Sequence, residues 1–508
     1  KEALRVVTDG EVKSLPDRFS KIYTNWMENV HDWCISRQLW WGHQIPAWYC
    51  EECGHINVSR EDPTRCEKCG CSKLKRDEDV LDTWFSSALW PFSTLGWPDK
   101  TPELEYYYPT SVLVTGYDII FFWVARMIFS GCEHMKKYPF DTVLIHGLVR
   151  DDKGRKMSKS LGNGIDPLEM AEQYGADALR FNLVTGNSPR NDMRFYVEKC
   201  EAMRNFANKI WNASRFLMMN LTVEDCTLPP LEELELEDKW VLSRLNKLIR
   251  DVTANLDSYE LGVASANVYD FIWDTYCDWY IELTKTRLTG EDTRSKENAQ
   301  RVLCYVWEQV LAMLHPFMPF ITEEIWQALP HQGDFLMTSQ WPEAKPEFDF
   351  AAEESAMEAV MAAINAVRSR RSEMNVPPSR KAAMILVTET PDIYTQGAHF
   401  IKRLASVSEL KVTAFAPEST EGMVTLATAN AAIYMPLADL VDIAKELERL
   451  EKEKAKAEQG LARIEAKLSN AGFVSKAPAN VVEGQRQQAE KYRALIANLE
   501  ESMAQMQG

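Results

Sequence analysis

Residues 141–167 read DTVLIHGLVRDDKGRKMSKSLGNGIDP, a succession of apolar strand, glycine turn and basic loop. The apolar run from Val143 to Ile145 predicts a buried parallel strand. The loop that follows carries Lys156, Ser158 and Lys159 among several glycines. Lysines on a loop at the carboxyl end of a strand can neutralise a polyphosphate as charge develops during transfer. A solvated basic loop is the alternative, and composition alone does not choose between the two.

Length and composition predict several ordinary globular domains. The chain has 508 residues, 45% of them hydrophobic and 26% charged. A chain of this length is expected to hold roughly three domains or more. The net charge is −18 at pH 7, so no overall field attracts nucleic acid. Any nucleic-acid partner must therefore be met by local basic patches.

Eleven cysteines without an apolar leader indicate a reducing compartment, predicted to be the cytoplasm, with thiols free or metal-bound. The chain begins KEAL, which we interpret as the interior of a longer chain. Residues 112–131 have the length of a membrane span. However, Asp118 and Arg126 interrupt this segment and Gly116 splits it, which predicts a buried strand followed by an amphipathic helix and no membrane contact.

Residues 39–49, LWWGHQIPAWY, are too rich in aromatic side chains for an ordinary surface loop. We expect core packing for this run in preference to a ligand pocket. Two cysteine pairs with zinc-ligand spacing follow directly, Cys50 with Cys53 and Cys66 with Cys69. Four thiolates predict a closed, structural Zn²⁺ site that leaves no open position for catalysis. Cys71 is a spare thiol that could replace Cys69, and His55 is a weaker substitute.

The strand predicted at residues 112–116 ends in Gly116 and is followed by Asp118. In nucleotide-binding folds, glycine at this place lets a ribose approach and a carboxylate accepts its hydroxyl groups. A strand-end turn with an aspartate helix cap is an equally good interpretation. Together with residues 141–180, this segment predicts a β-α-β-loop-helix unit, the second half of a doubly wound sheet.

The rest of the chain is predominantly helical by its apolar spacing. From about residue 195 the pattern predicts an α-helical bundle with aromatic residues in its core. Residues 351–436 return to mixed structure, with a helix carrying Arg368, Arg370 and Arg371 and a strand near residue 383. These arginines are interpreted either as a solvated face or as a phosphate contact. Residues 440–468 and 482–506 have heptad spacing and predict an antiparallel coiled-coil hairpin joined by 469–480. It would serve dimerisation or, since it buries its own seam, contact with a long ligand.

The loop KMSKS at residues 156–160, followed by LGN, resembles the signature loop of class I aminoacyl-tRNA synthetases. The order of the other motifs is similar to that of the valyl-tRNA synthetases. The matching segments are residues 32–48, the paired cysteines, DTWF at 82–85, KIWNASRF at 209–216, CDWY at 277–280 and NAGF at 470–473. Isoleucyl- and leucyl-tRNA synthetases share the loop and the bundle but do not usually end in this hairpin.

The resemblance implies a multidomain α/β plus α fold. Its parts are a return segment from an editing domain (1–30), the second half of a Rossmann-like catalytic domain (31–195) with a zinc module (50–71), an α-helical anticodon-binding domain (196–345), a small mixed α/β region (346–436) and a coiled-coil tRNA-binding arm (437–508).

The resemblance also implies a reaction, in which valine and ATP form valyl-adenylate and pyrophosphate before valine passes to tRNA-Val. Lys159 would steady the ATP phosphates, with Lys156 and Ser158 supporting the closing loop. ATP would be bound with Mg²⁺, and the protein would be a monomer. The remaining implied roles are ribose binding by Gly116 and Asp118, adenine contact by His146 and Gly147, and a valine pocket walled by Trp84 with Trp40 or Trp41.

The chain departs from the family pattern in one motif. The family carries the sequence His-Ile-Gly-His, which does not occur in this chain, and Gly-His pairs occur here only as Gly42-His43 and Gly54-His55. We therefore expect the first half of the nucleotide fold and the editing domain to be absent, and the chain to be unable to activate valine alone. A non-catalytic tRNA-binding protein is an alternative that leaves the intact lysine loop without a purpose. A zinc-dependent DNA-binding factor would explain the cysteines alone, and the acidic balance opposes it. A closely related isoleucyl-tRNA synthetase is a further alternative.

Overall fold

The computed structural model describes residues 1–186, 191–440, 443–470 and 479–507. The chain divides into two compact units. Unit 1 comprises Lys1–Met219, Leu248–Trp273 and Glu308–Pro342, and unit 2 comprises Asn220–Lys247, Asp274–Trp307 and Glu343–Gly508. The α-helices are α1 Glu2–Thr8, α2 Arg18–Glu28, α3 Thr83–Ser87, α4 Trp90–Ser93, α5 Pro102–Tyr107, α6 Ala125–His134, α7 Pro167–Tyr174, α8 Ala176–Val184, α9 Val197–Asn220, α10 Leu236–Asp257, α11 Leu261–Asp270, α12 Ile281–Leu288, α13 Thr293–Leu314, α14 Pro319–Ala328, α15 Ala351–Glu373, α16 Pro391–Gln396, α17 Ala398–Leu404, α18 Leu437–Leu440, α19 Ile443–Ser469 and α20 Ala479–Gln507.

The strands form several small sheets. They are β1 Lys13–Leu15, β2 Ser36–Arg37, β3 Ala47–Cys50, β4 Ile56–Val58, β5 Leu74–Arg76, β6 Val80–Leu81, β7 Thr110–Gly116, β8 Phe140–His146, β9 Val149–Arg150, β10 Met193–Arg194, β11 Ala382–Val387, β12 Val407–Thr413, β13 Met423–Ala427 and β14 Ala432–Pro436. Short 3₁₀ turns include Tyr117–Ile119 and Lys159–Leu161, and π-helical segments span Ile120–Val124 and Phe271–Tyr280.

A three-stranded parallel sheet of order β1-β8-β7 organises the first part of unit 1. The chain leaves β7 through a 3₁₀ turn and a π-helical turn, continues as α6 and returns as β8. This is the predicted β-α-β crossover. Residues 1–30 pack into the same core, where Val6, Phe19 and Tyr23 join Met127 and Val143. The segment expected to return from an editing domain thus also supplies an edge strand, β1, which its sequence had not indicated.

Residues 112–131, which have the length of a membrane span, fold as a strand and a helix. This is the structure predicted from the charged residues that interrupt the segment. Seven of the ten residues of α6 are buried. They include Arg126, whose guanidinium lies 3.5 Å from the centre of the Trp33 ring. Among the described helices, none combines the length and the apolar character that crossing a membrane would require.

The expectation of core packing was wrong for part of the aromatic run. Trp40 is 99% exposed and Trp41 is 86% exposed, whereas Trp48 is buried at 5%. Only Trp48 lies in a strand, β3, where it pairs with both neighbouring strands and its ring packs against Arg76. The preceding residues form no regular strand or helix beyond a single bridge at Gln44, so their side chains have no neighbouring layer to cover them.

The predicted helical region is confirmed by α9 to α14. Within unit 1, Phe206 and Ile210 of α9 are fully buried, but Trp211 is 40% exposed and does not belong to the core. Within unit 2, Tyr276 stacks on Trp307 at 4.5 Å between ring centroids. The expectation that all cysteines are free or metal-bound was wrong for Cys226 and Cys304, which form a disulfide in unit 2 with their Cα atoms 5.3 Å apart.

The mixed region of unit 2 contains a four-stranded sheet of order β12-β11-β14-β13, in which β11 confirms the predicted strand. The arginines of α15 have separate roles. Arg371 is buried and donates to the carbonyl oxygens of Pro377 and Arg380, so neither a solvated face nor a phosphate contact describes it. Arg368 donates to the Leu404 carbonyl, and Arg370 pairs with Glu373.

The last part of unit 2 consists of α19 and α20, which pack against each other in opposite directions. Lys454 pairs with Glu500 and Glu465 with Arg493, so positions rise along one helix as they fall along the other. The buried side chains of this pair recur at heptad-like intervals; they are Leu450, Ala457, Ile464, Val482, Ala489 and Leu499. Most of the predicted connection, 469–480, lies outside the described residues.

Candidate nucleotide site and thiol cluster

Three of the predicted nucleotide residues lie together at the carboxyl ends of β7 and β8. Gly116 and His146 are register partners in the two parallel strands, and Asp118 follows in the adjoining 3₁₀ turn. A Cβ atom on Gly116 would lie 2.9 Å from the Asp118 Oδ1 atom and 3.6 Å from the His146 ring. Since no side chain fits there, the backbone at Gly116 stays accessible beside the carboxylate. We call Gly116, Asp118 and His146 the sheet edge.

Gly147 is required by the backbone that packs against it, whatever its predicted contact with adenine. A Cβ atom there would lie 2.1 Å from the carbonyl oxygen of Asn191, which is backbone. The glycine therefore lets the chain at residues 191–192 pass directly across the end of β8. The next residue, Leu148, then donates its backbone N–H to Asp192 at 2.8 Å.

Lys156 reaches the sheet edge from the lysine loop, defined here as residues 151–163. Its Nζ atom lies 3.1 Å from Asp118 Oδ2. The lysine side chain is 62% exposed and the aspartate 33% exposed, so the pair contributes at most about 1 kcal/mol to stability. Such a weak pair can be exchanged for a ligand at little energetic cost.

The other loop residues are held by local hydrogen bonds. The Ser158 hydroxyl lies 3.1 Å from that of Ser160 and accepts the Leu161 N–H at 3.3 Å. Lys159 begins a short 3₁₀ turn, and its side chain, for which a phosphate contact was predicted, lies outside the described part of the structure. Asn163 and Asp151, which the sequence had not singled out, join the two ends of the loop at 3.0 Å.

A second ionic group, which the sequence analysis did not predict, contacts residues that flank the sheet edge. Asp192 accepts hydrogen bonds from Leu148, from Arg150 and, at 3.2 Å, from the Tyr117 hydroxyl. Burial alone would raise the pKa of Asp192, but these donors bring it below its usual value. Only the pairing of β9 with β10 brings Arg150 and Asp192 together, so no local sequence signal could have found them.

The tryptophans proposed to wall a pocket are not joined by ring contacts in the described structure. Trp84 stacks on Phe122 with centroids 5.8 Å apart. The carboxylate of Asp82, the N-cap residue of α3, accepts hydrogen bonds from the backbone N–H of Trp84 and, at 2.9 Å, from the Trp33 Nε1–H. The same carboxylate pairs with Arg37. Trp40 and Trp41 are exposed instead.

The four predicted zinc ligands converge. The sulfur atoms of Cys50, Cys53, Cys66 and Cys69 all lie within 4.8 Å of one another, and we call them the thiol cluster. Tetrahedral zinc with bonds of about 2.3 Å to sulfur requires sulfur atoms about 3.8 Å apart, and two pairs in the cluster are separated by 3.6 Å. Backbone N–H groups, that of Cys53 foremost, lower the pKa of the Cys50 thiol and so favour the thiolate that metals bind.

The two substitutes considered for this site lie outside the cluster. The Cys71 sulfur accepts the Lys73 N–H at 3.2 Å, and the carbonyl of His55 accepts the Cys50 N–H. The local spacing had favoured Cys69 over Cys71, and the folded geometry agrees with that preference.

Comparison with known protein families gives matches over three segments of the chain. Family models match for tRNA synthetases class I (I, L, M and V) over residues 1–196, for the anticodon-binding domain of tRNA ligase over residues 238–386, and for the valyl tRNA synthetase tRNA binding arm over residues 442–507. The chain is 54% identical over 507 residues to valine–tRNA ligase of Clostridium acetobutylicum, covering 99% of this chain and 58% of that protein. It is also 54% identical over 503 residues to valine–tRNA ligase of Clostridium tetani, covering 98% of this chain and 57% of that protein.

Among solved structures, the LeuRS–tRNA–LeuAMS ternary complex of Agrobacterium radiobacter K84 matches with a TM-score of 0.53 and 22% identity, over 65% of this chain and 45% of that one. At this identity the likeness concerns the fold alone. It agrees with the predicted class I catalytic fold, helical anticodon region and mixed α/β sheets. The chain spans a little over half the length of the two curated Clostridium relatives. Along almost all of its own length it shares more than half of its residues with them, and its motifs occur in the same order. The chain therefore belongs to the valine–tRNA ligase family of class I synthetases.

Proposed function

We propose that the protein supplies part of the active site of a valine–tRNA ligase, which activates valine with ATP and transfers it to tRNA-Val. The observation that carries this proposal is Lys156 Nζ, 3.1 Å from Asp118 Oδ2 at the carboxyl ends of β7 and β8. A mobile cation beside a ribose-type carboxylate suits nucleotide chemistry, in which both charges must be close together. A protein that only bound tRNA would have no use for this arrangement.

In the proposed site the nucleotide lies along the sheet edge. Asp118 accepts hydrogen bonds from the ribose hydroxyls, Gly116 gives the ribose room, and backbone at His146 and Gly147 flanks the adenine. The ribose competes with Lys156 for Asp118, so nucleotide binding frees that lysine for the phosphates.

Activation then depends on electrostatic stabilisation. The valine carboxylate forms a bond to the α-phosphorus of ATP, which arrives with Mg²⁺, while the bond to the departing pyrophosphate breaks. Lys159 and Lys156, with Ser158 supporting the loop, would balance the negative charge that accumulates on the leaving oxygens. The valine side chain would lie against Trp84, with Trp40 or Trp41 covering it when the exposed run at residues 39–44 folds over the substrate.

The thiol cluster is proposed to hold a structural Zn²⁺. All four ligands would be cysteine thiolates, so the ion would stabilise the fold of residues 50–71 and offer no open position to a substrate.

The helical parts are proposed to bind tRNA-Val. The region assigned to residues 196–345 would meet the anticodon, and α19 with α20 would form an antiparallel coiled-coil arm along the tRNA. The protein would act as a monomer in the cytoplasm. Because the net charge is −18, contact must be made through local lysine and arginine clusters, and affinity should fall with salt.

Valine-dependent ATP–pyrophosphate exchange tests the proposed reaction. The chain alone should give no turnover, since we expect it to lack the histidine pair of the nucleotide site. A chimera in which it replaces the matching 58% of the Clostridium acetobutylicum ligase should be active, and Lys159→Ala should abolish that activity. An inactive chimera that still binds tRNA-Val would leave only a tRNA-binding function.

Filter binding of tRNA-Val tests the proposed arm. The whole chain should bind more tightly than a chain ending at residue 436, with tRNA-Phe as the specificity control. Equal affinities would remove α19 and α20 from the tRNA surface.

A further inference from the structure

The two end residues of the lysine loop, Asp151 and Asn163, are joined by a hydrogen bond between their side chains. We propose that they are positioning residues, a latch that sets the main chain of Lys156 and Ser158 for pyrophosphate release. This inference rests on the function proposed above for the loop. Neither residue is placed to touch substrate, so their effect is exerted through the residues between them.

Asn163 uses both ends of its side-chain amide on the loop. Its Oδ1 atom accepts the backbone N–H of Ser158 at 3.0 Å. Its Nδ2 group donates to the carbonyl oxygen of Lys156 at 3.3 Å and to Asp151 Oδ2 at 3.0 Å. One side chain therefore fixes the peptide groups of Lys156 and Ser158, two of the loop residues that the proposed reaction uses, and ties them to Asp151.

Asp151 is the fixed point of this arrangement. It is 5% exposed and directly follows β9, which is paired with β10. Its carboxylate accepts the backbone N–H of Arg155 and the Arg155 Nε–H, both at 2.7 Å. The hydrogen bond from Asn163 and those from Arg155 lower the pKa of Asp151 to about 2. The group therefore remains a carboxylate, with full acceptor strength, throughout the physiological pH range.

The latch leaves the loop one freedom that the reaction needs. The main chain of Lys156 is held by Asn163 and by a backbone bridge to Arg150. Among the described residues, its ammonium group pairs only with Asp118, and that pair is exposed. A change of side-chain rotamer is then enough to move the charge from the carboxylate to a phosphate. Without the latch the main chain would also have to be ordered in the transition state, and that entropic cost would lower kcat. The affinity for valine, whose proposed site is elsewhere, would be unaffected.

Charge placement allows a matched set of variants. N163D puts a second carboxylate 3.0 Å from the first and removes the amide donor. The double variant D151N/N163D restores an amide facing a carboxylate with the roles exchanged, and the Ser158 N–H keeps its acceptor. It loses the acceptor for the Arg155 Nε–H and the donor to the Lys156 carbonyl oxygen. D152N alters an adjacent, exposed acid and serves as the control.

Trypsin cleavage after Arg155 and Lys156, measured on the chain itself, reports whether the loop is held. N163D should be cleaved roughly 10- to 100-fold faster, as expected for loss of hydrogen bonds to a charged group. The double variant should recover part of the protection, because it regains the contact between positions 151 and 163, and D152N should match the unaltered chain. Equal cleavage of N163D and the unaltered chain would overturn the latch.

Exchange kinetics in the chimera report whether the latch positions reacting groups. N163D should lower kcat by a similar factor with KM for valine unchanged, and the double variant should regain activity. Faster cleavage with an unchanged kcat would reduce the pair to a structural role and overturn the proposal. An unaltered chimera without exchange would instead overturn the proposed function, so the two failures are distinguishable.

Discussion

The thiol cluster and the lysine loop are both compact sites, but they are assembled at different ranges along the chain. The ligands of the thiol cluster all lie between Cys50 and Cys69, and their spacing alone predicted their convergence. The loop, by contrast, depends on Asp118 and on strands β9 and β10, which bring distant residues to it. The first site should therefore be lost as a unit, whereas the second should lose strength step by step as individual contacts are removed.

The largest effect is expected from Cys50→Ser, which removes one ligand of the proposed zinc site. Structural zinc in small modules contributes on the order of 10 kcal/mol of apparent binding free energy at neutral pH, all of it coupled to folding. The variant should lose stoichiometric zinc, measured by mass spectrometry of the metal. Trp48, in the same strand as Cys50, should show a red-shifted fluorescence spectrum as the module unfolds.

Cys71→Ser is the matched control, because that sulfur lies outside the cluster. It should retain zinc and the spectrum of the unaltered chain. Zinc loss from this control, or full zinc occupancy in Cys50→Ser, would contradict the assignment of ligands.

A smaller effect is expected from Asp82→Ala, which tests the distant contacts around Trp84. The Asp82 carboxylate is buried, accepts Trp33 Nε1, and lies 3.9 Å from the guanidinium of Arg126. Its removal leaves Arg126 buried without an opposite charge, a change that costs about 3 kcal/mol. Urea unfolding should show this loss, with Asp99→Ala, at an exposed site, changing stability by less than about 0.5 kcal/mol. Equal stabilities for the two variants would show that the carboxylate is dispensable.

The features that the sequence predicted, and those that it did not, also differ in the distance along the chain between the residues that form them. Local patterns were sufficient for the four thiols, the strands β7 and β8, the bundle and the two long terminal helices, because spacing and hydrophobic periodicity act over a few turns. They were insufficient for Asp192 and Arg150, and for the exposure of Trp40, since each depends on which distant segment arrives to pair or to cover. Gly147 has a structural requirement that its local sequence does not reveal, because it depends on the backbone at Asn191. Its predicted contact with adenine stays a prediction.

The lysine loop is expected to loosen at low pH, because its base depends on the charge of Asp151. The pKa of Asp151 is lowered to about 2, first by its hydrogen bond from Asn163. A carboxylate with a depressed folded-state pKa contributes stability above its unfolded pKa of about 4 and loses it as pH falls toward 2. Hydrogen exchange at the Arg155 amide, which donates to the Asp151 carboxylate, should therefore stay slow at pH 4 in the unaltered chain. Asn163→Ala should shift the onset of fast exchange upward in pH, and identical profiles would contradict this cause of the shift.

The smallest effect on stability is expected where the proposed chemistry is most concentrated. Lys156→Met removes the exposed ion pair with Asp118, worth less than about 1 kcal/mol and weaker still in high salt. Urea unfolding should barely distinguish it from Lys153→Met, an exposed lysine of the same loop, whereas exchange activity in the chimera should fall only in the former. A large stability loss would mean that Lys156 is a structural anchor like the thiols. The lysine would then not be free to leave Asp118 when a ribose arrives, and the proposed transfer of its charge to the phosphates would fail.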